Sequence, residues 1–351
     1  MPDQPTSFAT AARAPGRYDV VVTRSGVVES HHRVHVAVVQ GNGTVVEQAG
    51  DPTRRTWWRS CAKPFQVMAL VRDGGLEAMG WGEEELALAC ASHGGEPEHV
   101  ALAGRMLTSL GVGEEALACG PHEPLSERGA EQLRVAGAAP TRLHNNCSGK
   151  HAAMLARARM LGAPLSGYHH REHPVQQEAL GTVAQWCGVS PASLAVGTDG
   201  CGVRVFGLPL LAMATGYARL AEASHCADPV AARILGAMTA HPFLVGGTGR
   251  FDTEVMRAGG GRVVCKVGAE GVHSAAILDA GIGIAIKVED GHPRAQYPAM
   301  LAVLEAHGAF PQGVPPALQG VARRVVHDTR DLPVGMIRVA ALAMGDPVDD
   351  A

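Results

Sequence analysis

Apolar and polar positions change period several times along this chain, and the changes lay out its elements. Alternating apolar runs at Tyr18–Thr23, Arg33–Val39 and Thr44–Gln48 predict strands, with Gly41-Asn42-Gly43 folding the last two into a hairpin. Helical spacing follows over Ser60 to Gly74, Glu83–Ala91, His99–Leu110, His151–Leu161, His173–Trp186 and the Ala-rich Leu208–Ala223. Pro64 and Pro174 fit first turns of two of these helices. Ser92-His93-Gly94-Gly95 and Gly197–Gly202 read as loops. Arg262–Gly268, Val272–Ile277 and Ile282–Val288 then predict three adjacent antiparallel strands, Pro298–His307 a helix, and Gly335–Ala340 a closing strand.

Strands at both ends with helices between predict an α/β (α+β) protein whose central antiparallel sheet is formed by both termini. Residues 1–17 read as a loose polar tail, and 18–351 as one region with room for two subdomains and a site between them.

Composition mainly excludes. The chain is 46% apolar and 18% charged, ordinary for a globular protein. Its net charge is −4 and no basic block occurs, so nucleic acid is not an expected partner. No leader-like start and no apolar stretch of about 18 residues is present, which leads to a cytoplasmic expectation with no membrane partner. The eight cysteines are scattered, against a disulfide framework and in favour of reactive or metal-binding thiols.

Lysine changes the picture. Only four of the thirty Lys and Arg side chains are lysine, and three sit in motifs: Ser60-Cys61-Ala62-Lys63, Cys147-Ser148-Gly149-Lys150 and Lys266-Val267-Gly268. Arginine stays protonated in proteins, whereas a buried lysine gives up its proton readily. Ser60 and Lys63 lie one helical turn apart on one face, where a neutral amine can take the hydroxyl proton. A second serine, Ser92, and a late Lys266 follow. The order S-x-x-K, serine loop, K-x-G on a strand is that of penicillin-binding proteins and class A β-lactamases. The middle element departs from S-D-N, and Val267 stands in place of the threonine of K-T-G.

Cys147 and Lys150 stand at a helix mouth, and Cys201 lies in Asp199-Gly200-Cys201-Gly202. Two thiolates and a neutral amine would leave a fourth position open and would suit zinc. Spacing alone favours two buried structural cysteines, with His144 as the more ordinary nitrogen donor. The Gly149-Lys150 pair fails the phosphate-loop pattern. Gly246-Gly247-Thr248-Gly249-Arg250 fits a turn, or a backbone approach to a ligand carboxylate with Arg250 as a clamp. The pairs His31-His32 and His169-His170 read as structural or surface residues.

Taken together these motifs, with Cys119-Gly120-Pro121-His122, His173-Pro174-Val175-Gln176 and Gly249-Arg250-Phe251-Asp252-Thr253, resemble the Rhizobium etli-type L-asparaginases, the asparaginase II family. The resemblance spans about Val22 to Met336. It implies a serine β-lactamase/penicillin-binding-protein-like fold, usually a homodimer, hydrolysing the L-asparagine side-chain amide. It also implies two catalytic Ser–Lys pairs, Ser60 with Lys63 and Ser92 with Lys266, and Zn2+ on Cys147, Lys150 and Cys201. Arg59, His93, Asp199, Gly247 and Arg250 are expected around the substrate. Arg204, where relatives tend to carry proline, would disturb the Cys201 loop. Which serine attacks, and whether the substrate is asparagine, glutamine or a peptidoglycan fragment, stay open. A non-catalytic binding protein is opposed by the intact Ser60, Lys63, Ser92 and Lys266.

Overall fold

The computed structural model describes residues 15–226 and 228–343. The expected tail and the last residues therefore lie outside the described residues through 14 and from 344. The end of the expected tail is tied down: Gly16 N donates to Asp19 Oδ2 at 2.9 Å, and Arg17 pairs with Glu47 at 2.7 Å.

The architecture is mixed α/β with antiparallel sheets. The strands are β1 (Val20–Arg24), β2 (Val27–His32), β3 (Val34–Gln40), β4 (Val45–Ala49), β5 (Arg55–Trp57) and β6 (Ala195–Thr198). They continue as β7 (Arg204–Pro209), β8 (Val263–Val267), β9 (Val272–Ile277), β10 (Ile282–Val288), β11 (Arg323–His327) and β12 (Pro333–Val339). The single sheet expected from sequence resolves into three, ordered β11-β12-β1-β2, β4-β3-β10-β9-β8 and β5-β7-β6. The two ends of the chain do meet, with Val20 opposite Val339 in the first of these. Asp19 splices the first sheet to the second, because its Oδ1 accepts the Val34 N–H at 2.8 Å.

β9 and β10 are buried along their whole length, so that even the polar His273, Ser274 and Lys287 on them are enclosed. The Leu210–His225 helix lies across β10 and β3. Gly283 makes that approach feasible: a Cβ there would stand 2.1 Å from Ala214 O. The Ser148–Met160 helix is buried on every side from Ser148 to Ala158, as a helix running through a core must be.

Several expectations change. The continuous helix from Ser60 to Gly74 is a 3-10 turn, Arg59–Ala62, followed by short helices Lys63–Gln66 and Met68–Arg72. The Gly197–Gly202 loop begins inside β6, which ends at Thr198. The last long helix starts at Pro293 rather than Pro298, with His292 Nδ1 accepting the Arg294 N–H. His31 and His32 lie on β2 and pair with Asp19 and Asp290 at 2.9 and 2.6 Å. β2 shows no alternation of burial, so no periodicity marked it.

Candidate active site

Ser60 is placed by its neighbours. Trp58 N donates to Phe206 O on β7 at 2.8 Å, and the Trp58 indole reaches Ser274 Oγ on β9 at 3.0 Å. The Cys61 thiol donates to Lys266 O at 3.1 Å, and Tyr217 Oη donates to Cys61 O at 2.9 Å. Between these anchors Arg59 takes a left-handed backbone, φ 51°. A non-glycine residue there costs on the order of 1–3 kcal/mol and persists only when its surroundings impose it. Here the surroundings turn Ser60 onto a cavity of about 540 Å³ that Ser92 also lines.

Ser92 is buried just beyond the Glu83–Ala89 helix, its N–H bonded to Val245 O at 3.0 Å. Its Oγ lies between two buried amines, Lys266 Nζ at 2.8 Å and Lys63 Nζ at 3.1 Å. Lys63 also donates to Ala91 O and to Asn146 O, the latter at 3.1 Å. Three acceptors match the three N–H bonds of an ammonium. Lys266 has Ser92 and Val267 O. Burial, opposed by Asp252 and reinforced by Lys63, brings its pKa down to about 8. The pairing expected for Lys63 therefore changes. Its serine partner is Ser92, which it shares with Lys266, and Ser60 makes no side-chain hydrogen bond among the described residues.

The same cavity is lined by Cys147, Asp199 and Cys201. Asn145 Oδ1 accepts the Cys147 N–H at 3.0 Å, fixing the start of the Ser148–Met160 helix and so the Lys150 side chain. Lys150 Nζ is 3.0 Å from Cys201 Sγ. Hydrogen bonding from Cys147, with help from Lys150, draws the Cys201 thiol down to about 5, while that bond and burial push Cys147 up to about 12. Burial opposes the Lys150 charge, but the two sulfurs raise its proton affinity above the ordinary amine value. Two sulfurs and an amine so arranged fit a thiophilic cation, whose charge would replace the protons now holding the sulfurs together. Burial likewise pushes Asp199 up, but Lys150 and Arg59 win and hold its carboxyl below the ordinary range.

Arg59 and Arg250 also line the cavity, as do Glu270, Gln296 and Tyr297. His93 and Gly247 do not. His93 is sealed behind Ser92, accepting the Gly95 N–H through Nδ1 at 3.1 Å and meeting Ser148 Oγ through Nε2 at 2.9 Å. Gly247 packs against Gly94, and Thr248 binds the buried Glu96 carboxylate beside it. Arg204 corrects another expectation. It anchors the Cys201 loop instead of disturbing it, donating from NH1 to Gln176 O at 3.3 Å and from NH2 to Arg171 O. Behind Lys266 lie Asp252 and His273, which sequence reasoning did not single out; Asp252 stood inside a quoted motif, and His273 carried no signal. A larger cavity, about 800 Å³, lies elsewhere, around Leu102, Arg105 and Met256, and holds none of these groups.

The Ser60 cavity thus carries two serine hydroxyls, with the buried Lys63 and Lys266 amines bonded to one of them and charged groups around both. The chain belongs to the L-asparaginase II family, whose pattern it matches over residues 20–339, and the family is one of hydrolases acting on amides. No curated protein matches the chain. Among solved structures it is similar to Mglu in its native form, at 16% identity over 84% of this chain and 69% of that one, TM-score 0.45. It is also similar to a beta-lactamase (Mb2281c) from Mycobacterium bovis, at 10% identity over 79% and 95%, TM-score 0.39. No helix among the described residues is long and apolar enough to cross a membrane.

Proposed function

We propose that the protein hydrolyses the side-chain amide of L-asparagine to L-aspartate and ammonia through an acyl-enzyme on Ser60. The observation that carries this reading is the Ser92 hydroxyl held between Lys63 and Lys266 beside a Ser60 left free on the same cavity.

Ser60 Oγ attacks the carboxamide carbon and its proton passes to the neutral Lys63 amine. Lys63 becomes neutral beforehand by passing a proton through Ser92 to the fraction of Lys266 that its lowered pKa leaves neutral. The tetrahedral adduct collapses as Ser92 gives its proton to the amide nitrogen and regains one from Lys63. The C–N bond breaks and ammonia leaves, with an ester on Ser60. Water then adds to the ester, yielding its proton to the same chain, and aspartate departs as Ser60 recovers its hydrogen. Positioned proton transfer contributes roughly 10²–10⁴-fold to such a reaction.

Asp199 and Arg250 supply opposite charges for the α-ammonium and α-carboxylate of an amino-acid substrate. Cys147, Lys150 and Cys201 would hold zinc; when bound, it supplies a fixed positive centre there for the α-amino and carboxylate end.

One observation favours a second reading. Ser92, not Ser60, has the direct lysine contacts, so Ser92 is the alternative nucleophile. Ammonia release from L-asparagine and L-glutamine, with mass mapping of an electrophilic asparagine analogue, separates the two. Loss of release and of adduct in Ser60→Ala, with a slow adduct on Ser60 in Ser92→Ala, is the expected result. An adduct on Ser92 exchanges the roles, and no release from either amide by folded, zinc-loaded protein overturns the substrate assignment.

A further inference from the structure

The first turn of the Phe251–Ala258 helix presents Asp252 to β8 from behind the cavity. Asp252 Oδ2 accepts the Val267 N–H at 2.7 Å and lies 4.0 Å from Lys266 Nζ; Oδ1 meets His273 Nε2 at 2.8 Å. Strand register sets this up, because His273 on β9 stands opposite Val267 on β8. All three side chains are buried, Lys266 and His273 completely. We propose that Asp252, oriented by His273, is a positioning residue that holds the Lys266 amine against Ser92 and supplies the counter-charge for its protonated form. The role in catalysis rests on the reading of Lys266 as a proton carrier; the counter-charge does not.

The charges facing Lys266 make a counter-ion necessary. Lys63 approaches from the far side of Ser92, and Arg250 lies just ahead of Asp252. Cys61, Cys90 and Cys265 also face this space, and burial pushes all three thiols up, so they remain neutral. An ammonium in such a dry, cation-rich interior is costly without a carboxylate. Burial works against the Asp252 charge, but the hydrogen bonds from His273 and the Val267 N–H, with the neighbouring Lys266, keep it below the usual carboxylate range.

The imidazole must be neutral for the charge to serve Lys266. His273 Nδ1 is buried with no partner among the described residues, so a proton there would be an unpaired donor. The ring therefore carries its hydrogen on Nε2 and donates it to Asp252, orienting the carboxylate without neutralising it. Phe251 and Tyr297 wall the ring in, at 5.4 and 6.0 Å between centroids. Asp252, Cys265 and His273 also bring donor atoms within 4.8 Å of one another. Both carboxylate oxygens are already engaged, the thiol is protonated and an ammonium stands beside them, so the cluster is a hydrogen-bonded assembly rather than a cation site.

With four lysines in the chain, protein labelled with 13C-lysine gives four side-chain titrations by NMR, which Lys266→Arg and Lys287→Arg assign. In Asp252→Asn the Lys266 midpoint is expected to fall by about one pH unit or more, with Lys287 unmoved. An unmoved Lys266 overturns the proposal. If that variant fails to fold, 15N-histidine spectra of the unaltered protein decide the matter. His273 is expected to carry its hydrogen on Nε2 and to show a bare Nδ1, and the Nδ1–H tautomer overturns the proposal. A Lys266 midpoint that moves without any shift of the pH–kcat/KM profile supports the counter-charge and removes Lys266 from the proton path, so the two readings fail separately.

Discussion

Arg59 holds its backbone at φ 51° while its Nε donates to Asp199 Oδ1 at 2.7 Å. The residue before Ser60 is thereby tied to the loop that carries Cys201, so one strained position joins the hydroxyl wall of the cavity to its thiol wall. Glycine adopts this backbone freely and alanine does not. Arg59→Gly is expected to keep the thermal midpoint of the parent while losing activity. Arg59→Ala is expected to lose the same activity and to be about 1 kcal/mol less stable than Arg59→Gly. Equal melting of the two variants would show that the backbone at this position stores no strain.

Lys266 predicts the pH dependence. Its pKa is about 8 when folded against an ordinary 10.5, so the neutral amine that the proton path requires forms as pH rises through about 8. The expected kcat/KM climbs with pH and levels off above that value, falling about tenfold per pH unit below it. The stability contribution has the same sign. Between the two pKa values the unfolded chain binds the additional proton, so this group stabilises the fold as pH rises through that window. A kcat/KM profile flat between roughly pH 6 and 9 would remove Lys266 from the rate-determining protonation.

The motifs were more legible than the pairings. Lys63 and Lys266 meet at Ser92, and Ser60 lines the same cavity, because short sequences on tight turns and strands carry much of their geometry locally. That Lys63 turns to Ser92 is a tertiary fact, fixed by acceptors at Ala91 and Asn146 far along the chain. His93 looked like a site residue because it adjoins Ser92, yet its ring packs on His99 with centroids 5.0 Å apart. β5, β6 and β7 were missed because β5 and β6 are short and partly exposed, and Arg204 and Pro209 bound β7. Arg204 is buried and held by backbone carbonyls, a role no local pattern announces. The Phe251–Ala258 helix was missed as well, though its first turn carries the Asp252 that faces Lys266.

Gly149 gives a prediction about stability. A Cβ at this position would stand 2.3 Å from Leu88 O and 2.7 Å from Leu88 C, so the Ser148–Met160 and Glu83–Ala89 helices approach backbone to backbone there. Neither helix end can retreat freely, since Lys150 is held by Cys201 on one and Ser92 by Lys63 and Lys266 beyond the other. Gly149→Ala is expected to cost about 1–3 kcal/mol, read as a lower denaturant midpoint at unchanged slope. An unaltered midpoint would mean that the helices separate without penalty and that glycine is not required for their contact.

The thiol wall makes the last prediction. Lys150 Nζ and Cys201 Sγ are 3.0 Å apart in a buried setting, and Cys147 completes the set. Three donors that converge in the folded chain are scattered in the unfolded one, so a cation they bind stabilises the fold by mass action. Zinc at about 100 times its dissociation constant is expected to add roughly 2.7 kcal/mol, seen as a raised thermal midpoint that chelation reverses. Cys201→Ser is expected to abolish that response and the zinc found by elemental analysis. Its effect on folding without metal should be smaller, since the serine retains a polar partner for Lys150. Lys150→Met separates the amine from the sulfurs. Weaker zinc binding in that variant would support the amine as a ligand, and unchanged binding would reduce the site to its two cysteines. If the parent protein neither retains zinc nor responds to chelation, the cluster is a hydrogen-bonded support for the Asp199 loop and nothing more.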